Sequence, residues 1–213
     1  LDPVRDLELI ITELMLADLE FLERKLHKSR KLARSGDDAA KAETALAEAF
    51  SKSLGEGKIP DVSGLSESEK KIVSQMGMIT IMPSFVCANV DEEIFRNFGK
   101  EESSKKLIDF AATKNMEVVP VCGKLEEELA QLDPDEVKEF LAEMGMHESG
   151  LDRVIHTGYK LLNYITFFTA GPQESRAWTI CDGTAAPQAA GQIHSDMERG
   201  FIRLEVITYD DMV

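Results

Sequence analysis

The sequence predicts an α/β chain: a helical hairpin, then a parallel sheet with its crossover helices, then a small β-grasp module. Three observations carry this expectation. Apolar residues recur at helical spacing through the first third, two short apolar strands each run into a polar loop and a helix, and period-two alternation returns after Ile165.

Taken in order, Leu7, Ile10, Leu14, Ala17 and Phe21 recur at steps of three and four, one apolar stripe along a helix. Asp2-Pro3 supplies its start, an acid at the cap and proline in the first turn. The helix is expected to reach about Ala33, on the order of 45 Å at ~1.5 Å per residue. Ser35-Gly36-Asp37-Asp38 stops it and caps a second helix, whose stripe is Ala42, Leu46, Ala49 and Phe50. So short a break implies antiparallel packing, and residues 1–77 are assigned to a projecting coiled-coil hairpin. Within them, Ser66 and Glu69 have capping-box spacing and open a short helix through Gln75.

The run from Ile79 to Ala88 reads as a buried strand with Pro83 near its start, and leads straight into Asn89-Val90-Asp91-Glu92. A helix from about Ser103 to Lys114 follows. Then comes a strand, Val118 to Val121, running into Cys122-Gly123-Lys124 and a further helix. Strand, helix, strand, helix calls for a parallel sheet, and 78–163 is assigned to it. Asp133-Pro134 starts another helix, Gly145 closes it as a left-handed cap, and a helix from Leu151 to Asn163 connects onward. Residues 164–213 hold alternating strands around Thr166–Thr169 and Ala177–Ile180, a short helix from Ala185 to Ile193, and a strand from Phe201 to Ile207. Strands around one small helix suggest a β-grasp.

Composition narrows the function. A net charge of −15 argues against a non-specific nucleic-acid coater, which needs surplus Lys and Arg, but leaves room for a local basic patch. No apolar run approaches the ~20 residues that span a bilayer, so no membrane role is expected. Cys87, Cys122 and Cys181 form no CxxC and read as small buried thiols in a reducing cytoplasm. His27, His147, His156 and His194 are scattered, and no metal site is expected. The chain begins Leu1-Asp2-Pro3 without Met, which reads as the interior of a longer chain or an engineered boundary.

The chemistry sits after the strands, where open α/β sheets bind ligands. In the common GTPase loop, Asn-Lys-x-Asp, the Asp carboxylate accepts from guanine N1–H and the N2 amine. Here Glu92 is one methylene longer and Val90 replaces the Lys. Adenine lacks the N2 amine, and Asn89 can still match its N6/N7 edge. The other reading of these four residues is a polar turn after a strand. Val121-Cys122-Gly123 follows the next strand, where a second base-touching loop works through backbone N–H groups.

With these loops in order, the chain resembles the YchF (Obg-like ATPase) family. The most specific stretches run from Phe168 to Gly171 and from Arg176 to Thr179, then from Ala185 to Asp196 and from Glu198 to Arg203. All are similar to that family's TGS domain. The opening Asp2-Pro3-Val4-Arg5-Asp6-Leu7-Glu8 and the Asn-x-x-Glu loop are family-like as well. The resemblance implies a partial P-loop G domain with an inserted helical hairpin and a partial β-grasp (TGS) domain, closing strands absent. The parent it implies is a ribosome-associated hydrolase of ATP and GTP with Mg²⁺. No Gly-x-x-x-x-Gly-Lys-Ser/Thr occurs, so the phosphate loop, switch loops and catalytic histidine would lie upstream of Leu1. No catalytic role is carried onto this chain, and no bound cofactor is expected of it alone.

Partners implied are ATP or GTP and the ribosome, its large subunit or rRNA, with no DNA. Arg24, Lys28, Lys31 and Arg34 crowd the hairpin tip, either as rRNA phosphate contacts or as a solvated helix end favoured by the helix dipole. Arg176, Arg199 and Arg203, with His194, are candidates for an RNA surface. Phe167, Phe168, Trp178 and Phe201 either stack bases or pack a core. A reading from another class is a non-catalytic RNA- or protein-binding module using the hairpin and TGS surfaces.

Overall fold

Asp2 accepts hydrogen bonds from the N–H groups of Val4 and Arg5 on its carboxylate, both at 3.2 Å, and so opens the first helix, α1 (Pro3–Arg34). The structure is a computed structural model that describes residues 2–34, 37–171, 174–208 and 211. The expected helix stop at Ser35–Gly36 lies outside the described residues. So do Pro172–Gln173 and, at the close, Tyr209, Asp210, Met212 and Val213. The chain forms two compact units, 1–120 and 121–213, and the boundaries expected at 77/78 and 163/164 fall inside them.

In the first unit, Asp37 caps α2 (Asp38–Gly55) by accepting from Ala39 and Ala40 N–H at 2.9 and 3.1 Å. Leu22 and Leu26 of α1 pack against Leu46, Ala47, Phe50 and Leu54 of α2. Val73 and Met76 of α3 (Glu67–Met76), with Met78, close the same core. Each fully buried Leu contributes roughly 1.5–3 kcal/mol. Lys25–Glu43 and Arg30–Glu48 pair across the helices at 2.9 and 2.8 Å.

The buried face of α1 is Leu7, Ile11, Asp18, Leu22, Leu26 and Ser29, so the expected stripe is rotated by one residue and Ile10 and Ala17 point to solvent. The α2 stripe likewise uses Ala40 and Ala47 where Ala42 and Ala49 were expected. The reason on α1 is that two core positions are polar, and a pattern built from apolar residues alone skips them.

Asp18 is 2% exposed and accepts three hydrogen bonds: Ile79 N–H at 2.9 Å, and Thr80 N–H and hydroxyl at 2.7 Å each. Those two N–H groups therefore join no sheet, and Pro83 has none to give. The first strand, β1, is only Val86–Asn89, not the buried ten-residue strand expected from Ile79, and Ile79 and Met82 are exposed. From β1 the chain passes through α4 (Glu92–Arg96) and α5 (Glu102–Thr113) to β2 (Val118–Val121), the parallel neighbour of β1. Leu7 and Ile11 of α1 with Leu107 and Ala111 of α5 form a second core, against which Val86, Ala88 and Val118 pack.

In the second unit α6 (Gly123–Leu129) is followed by α7 (Pro134–Glu143), opened by an Asp133–Glu136 capping box and closed by Gly145 at φ 69°. A Ser149–Asp152 box opens α8 (Gly150–Leu161). β3 (Tyr164–Ala170) and β4 (Ser175–Cys181) pair antiparallel with Phe167 opposite Trp178. Then come α9 (Ala186–Ile193) and a short α10 (Ser195–Arg199) that the pattern does not announce. The strand expected over Phe201–Ile207 does not form: no ladder reaches it among the described residues, and Ile202 is 91% exposed.

Candidate functional site

Asn89 is the last residue of β1 and is exposed, with half-buried Val90 next to it. Asp91 caps α4, its carboxylate accepting Ile94 N–H at 2.9 Å. Glu92 is thus the first residue of a helix, not the tail of a loop, and its carboxylate pairs with Arg96 one turn on. The segment is therefore both a polar turn after a strand and a helix start, with the Asn89 side chain left facing solvent.

Val121 ends β2, half-buried; Cys122 is buried as the residue capping α6; Gly123 opens that helix and is exposed. Cys122 makes no side-chain cap hydrogen bond. Sequence reasoning missed what braces this turn. Glu126 of α6 accepts Gly150 N–H at 2.8 Å and Leu151 N–H at 3.3 Å, joining the start of α8 to the start of α6. In sequence Glu126 looks like any surface acid among Glu126–Glu127–Glu128, and only a glycine right after the capping Ser149 hints at a close approach.

At the hairpin, Arg24 pairs with Glu20 at 2.9 Å on an exposed face. Lys28, Lys31 and Arg34 are exposed and form no ion pair among the described residues. Lys31 and Arg34 also line a groove of about 500 Å³ with His27, Arg30 and Ser51. In the second unit Arg176 stacks on Trp178 at 4.3 Å, and the indole N–H donates to the Thr169 hydroxyl at 2.9 Å. Arg199 ends α10, and Arg203 lies in the exposed run beyond it. His194 serves α10 as cap, its Nδ1 accepting Asp196 N–H at 3.2 Å.

The expectation of three buried thiols needs correcting: Cys122 is buried, but Cys87 and Cys181 are exposed. Both sit on strands with one open face, which spacing alone does not reveal. Among the described residues no three His, Cys, Asp or Glu side chains cluster as metal ligands, and no helix is long and apolar enough to cross a membrane.

Fold and loops together define a mixed α/β chain with a parallel strand pair, each strand leading into a loop, preceded by a packed helix pair. The YchF-GTPase_C family profile, described as a protein of unknown function (DUF933), matches residues 164–213. Over the whole chain, proteins called Ribosome-binding ATPase YchF are similar. That of Escherichia coli O157:H7 is 44% identical over 212 residues and that of Bacillus subtilis 41%, the match covering 100% of this chain and 58% of each relative. The solved structure of the Schizosaccharomyces pombe YchF GTPase superposes with a TM-score of 0.79 at 34% identity, over 94% of this chain and 55% of that one. The chain belongs to the YchF family. It spans 58% of the length of the curated relatives it matches.

Proposed function

We propose that this chain is the base-reading and ribosome-facing part of a cytoplasmic, ribosome-associated enzyme that binds and hydrolyses ATP, and GTP as a second substrate. The observation that carries the proposal is the 44% identity, across the entire chain, to a protein named for ribosome binding and ATP hydrolysis. The coiled-coil hairpin (1–77), the part of a G domain (78–163) and the partial TGS β-grasp (164–213) are the domains through which it acts.

Asn89 reads the N6/N7 edge of adenine. Val90 and Glu92 remove the demand for guanine, and Val121, Cys122 and Gly123 close on the base through their backbone. The Glu92–Arg96 pair supports this reading, because it draws the carboxylate back along α4 and away from Asn89. The chain's own sequence contains no phosphate-loop motif, and its described residues offer no metal-ligand cluster. Mg²⁺ would neutralise phosphate charge when bound with the nucleotide. Contact with rRNA of the large subunit falls to Arg24, Lys28, Lys31 and Arg34 on the hairpin and to Arg176, Arg199 and Arg203 in the C-terminal module. Of the four hairpin cations, Lys28, Lys31 and Arg34 form no ion pair among the described residues, which supports that role.

The test is Val90→Lys with Glu92→Asp in the full-length protein. Competitive binding of ATP and GTP is expected to shift toward GTP by about 1–3 kcal/mol, the worth of one bidentate base contact. An unchanged ratio removes the base-reading assignment.

A further inference from the structure

We propose that Gly150 and Glu126 are positioning residues for the Val121–Cys122–Gly123 loop, setting how tightly the nucleotide base is held. This rests on the base-reading role proposed above. Gly150 is buried, and a Cβ built on it would lie 3.4 Å from both Cα and Cγ1 of Val121 and 2.8 Å from Glu126 Oε1. A side chain at 150 would therefore meet the Glu126 carboxylate first, with Val121 at the edge of ordinary van der Waals contact.

The second arm is Glu126, whose two oxygens take the N–H groups of Gly150 and Leu151 from 24 and 25 residues away. Ser149 already caps α8, its hydroxyl accepting Asp152 N–H at 3.0 Å. Helix stability alone therefore has a local solution. The added carboxylate lies near the positive end of α8 and makes two charge-assisted bonds. Glu126 also donates its N–H to Cys122 O at 3.0 Å, so one residue grips the loop on one side and α8 on the other. Loop and helix cannot shift independently while both bonds and the glycine contact hold.

The experiment uses full-length protein and two ligands, ATP and inorganic tripolyphosphate, which lacks a base and reports the phosphate site alone. Asn89→Ala tests the base-reading role: it is expected to weaken ATP and leave tripolyphosphate unchanged, and failure there removes that role whatever the other variants do. Gly150→Ala, which displaces the Glu126 carboxylate, and Glu126→Ala, which frees α8, are expected to raise the Kd for ATP about tenfold, the scale of one lost base contact, with tripolyphosphate binding kept. If Asn89→Ala behaves as expected but both of these bind ATP like the wild type, the positioning role is overturned. Parallel loss of ATP and tripolyphosphate overturns it too, as a merely structural effect. Circular dichroism checks folding, and if Gly150→Ala does not fold, Glu126→Ala decides alone.

Discussion

The helix pair and the C-terminal strands solve the same problem differently. Leu22 and Ala47 are 0% exposed between α1 and α2, whereas from 158 to 208 no described residue is buried. A helix satisfies its own backbone and needs one partner to cover its apolar stripe. A strand needs partners at both edges and a layer over one face, and β3–β4 is a two-stranded sheet flanked by short helices. Intermediate burial there is carried by a few contacts, such as Arg176 on Trp178 and Tyr159 edge-on to Tyr164, with ring centroids 6.0 Å apart. Stability should therefore be concentrated in the helix pair, and the C-terminal strands should open at lower free energy.

The largest expected effect is at Leu22. Leu22→Ala should cost about 2–5 kcal/mol in denaturant unfolding, from lost burial plus the cavity left behind. Phe168→Ala, at a side chain 60% exposed, should stay within roughly 0.5 kcal/mol. Equal costs would mean that the C-terminal strands hold a core of their own, and the contrast would collapse.

Next comes Asp18, where the first unit depends on a polar contact. Asp18→Ala leaves the Ile79 and Thr80 N–H groups without their acceptor, at about 1–3 kcal/mol for each donor that stays buried. Asp18→Asn keeps one acceptor oxygen and should recover part of the loss. If Asp18→Ala unfolds at the wild-type denaturant midpoint, water replaces the carboxylate and the latch is not structural.

The smallest effect is at the solvent-exposed start of α3. The Ser66 hydroxyl, and then the Ser66 backbone N–H, hold the Glu69 carboxyl below its ordinary value of 4.5. A carboxyl lowered in the folded state stabilises above its unfolded pKa, and that contribution disappears as pH falls through the lowered one. Thermal unfolding of wild type and Glu69→Gln, followed between roughly pH 2 and pH 6, should converge at the acid end and separate toward neutrality. Parallel curves would leave the capping box without a charged component.

Much of this architecture was legible because its signals are local. Ser66–Glu69 is a capping box as its spacing implies, Asp133-Pro134 opens a helix, Gly145 takes the left-handed cap, and Val118–Val121 is a strand. The loop residues Asn89, Glu92 and Val121–Gly123 were legible as types in order, though not Glu92 as a helix start held by Arg96. Hidden from the pattern were contacts between distant residues. Asp18 faces inward because Ile79 and Thr80 offer it three donors, Glu126 is a cap because Gly150 comes within reach, and Phe201–Ile207 joins no ladder among the described residues because a strand is made by its neighbours.

By itself, then, the sequence determined the helix starts and stops, the crossover order of β1 and β2, and the family, since each depends on residues close in the chain or on runs of identity. Only the tertiary structure decided which face of α1 is buried, where β1 begins and what braces the loop after β2. Each of those turns on whether a polar group finds its partner across some 24 to 62 residues of chain, and an unpaired buried donor or carboxylate costs more than a misplaced apolar side chain.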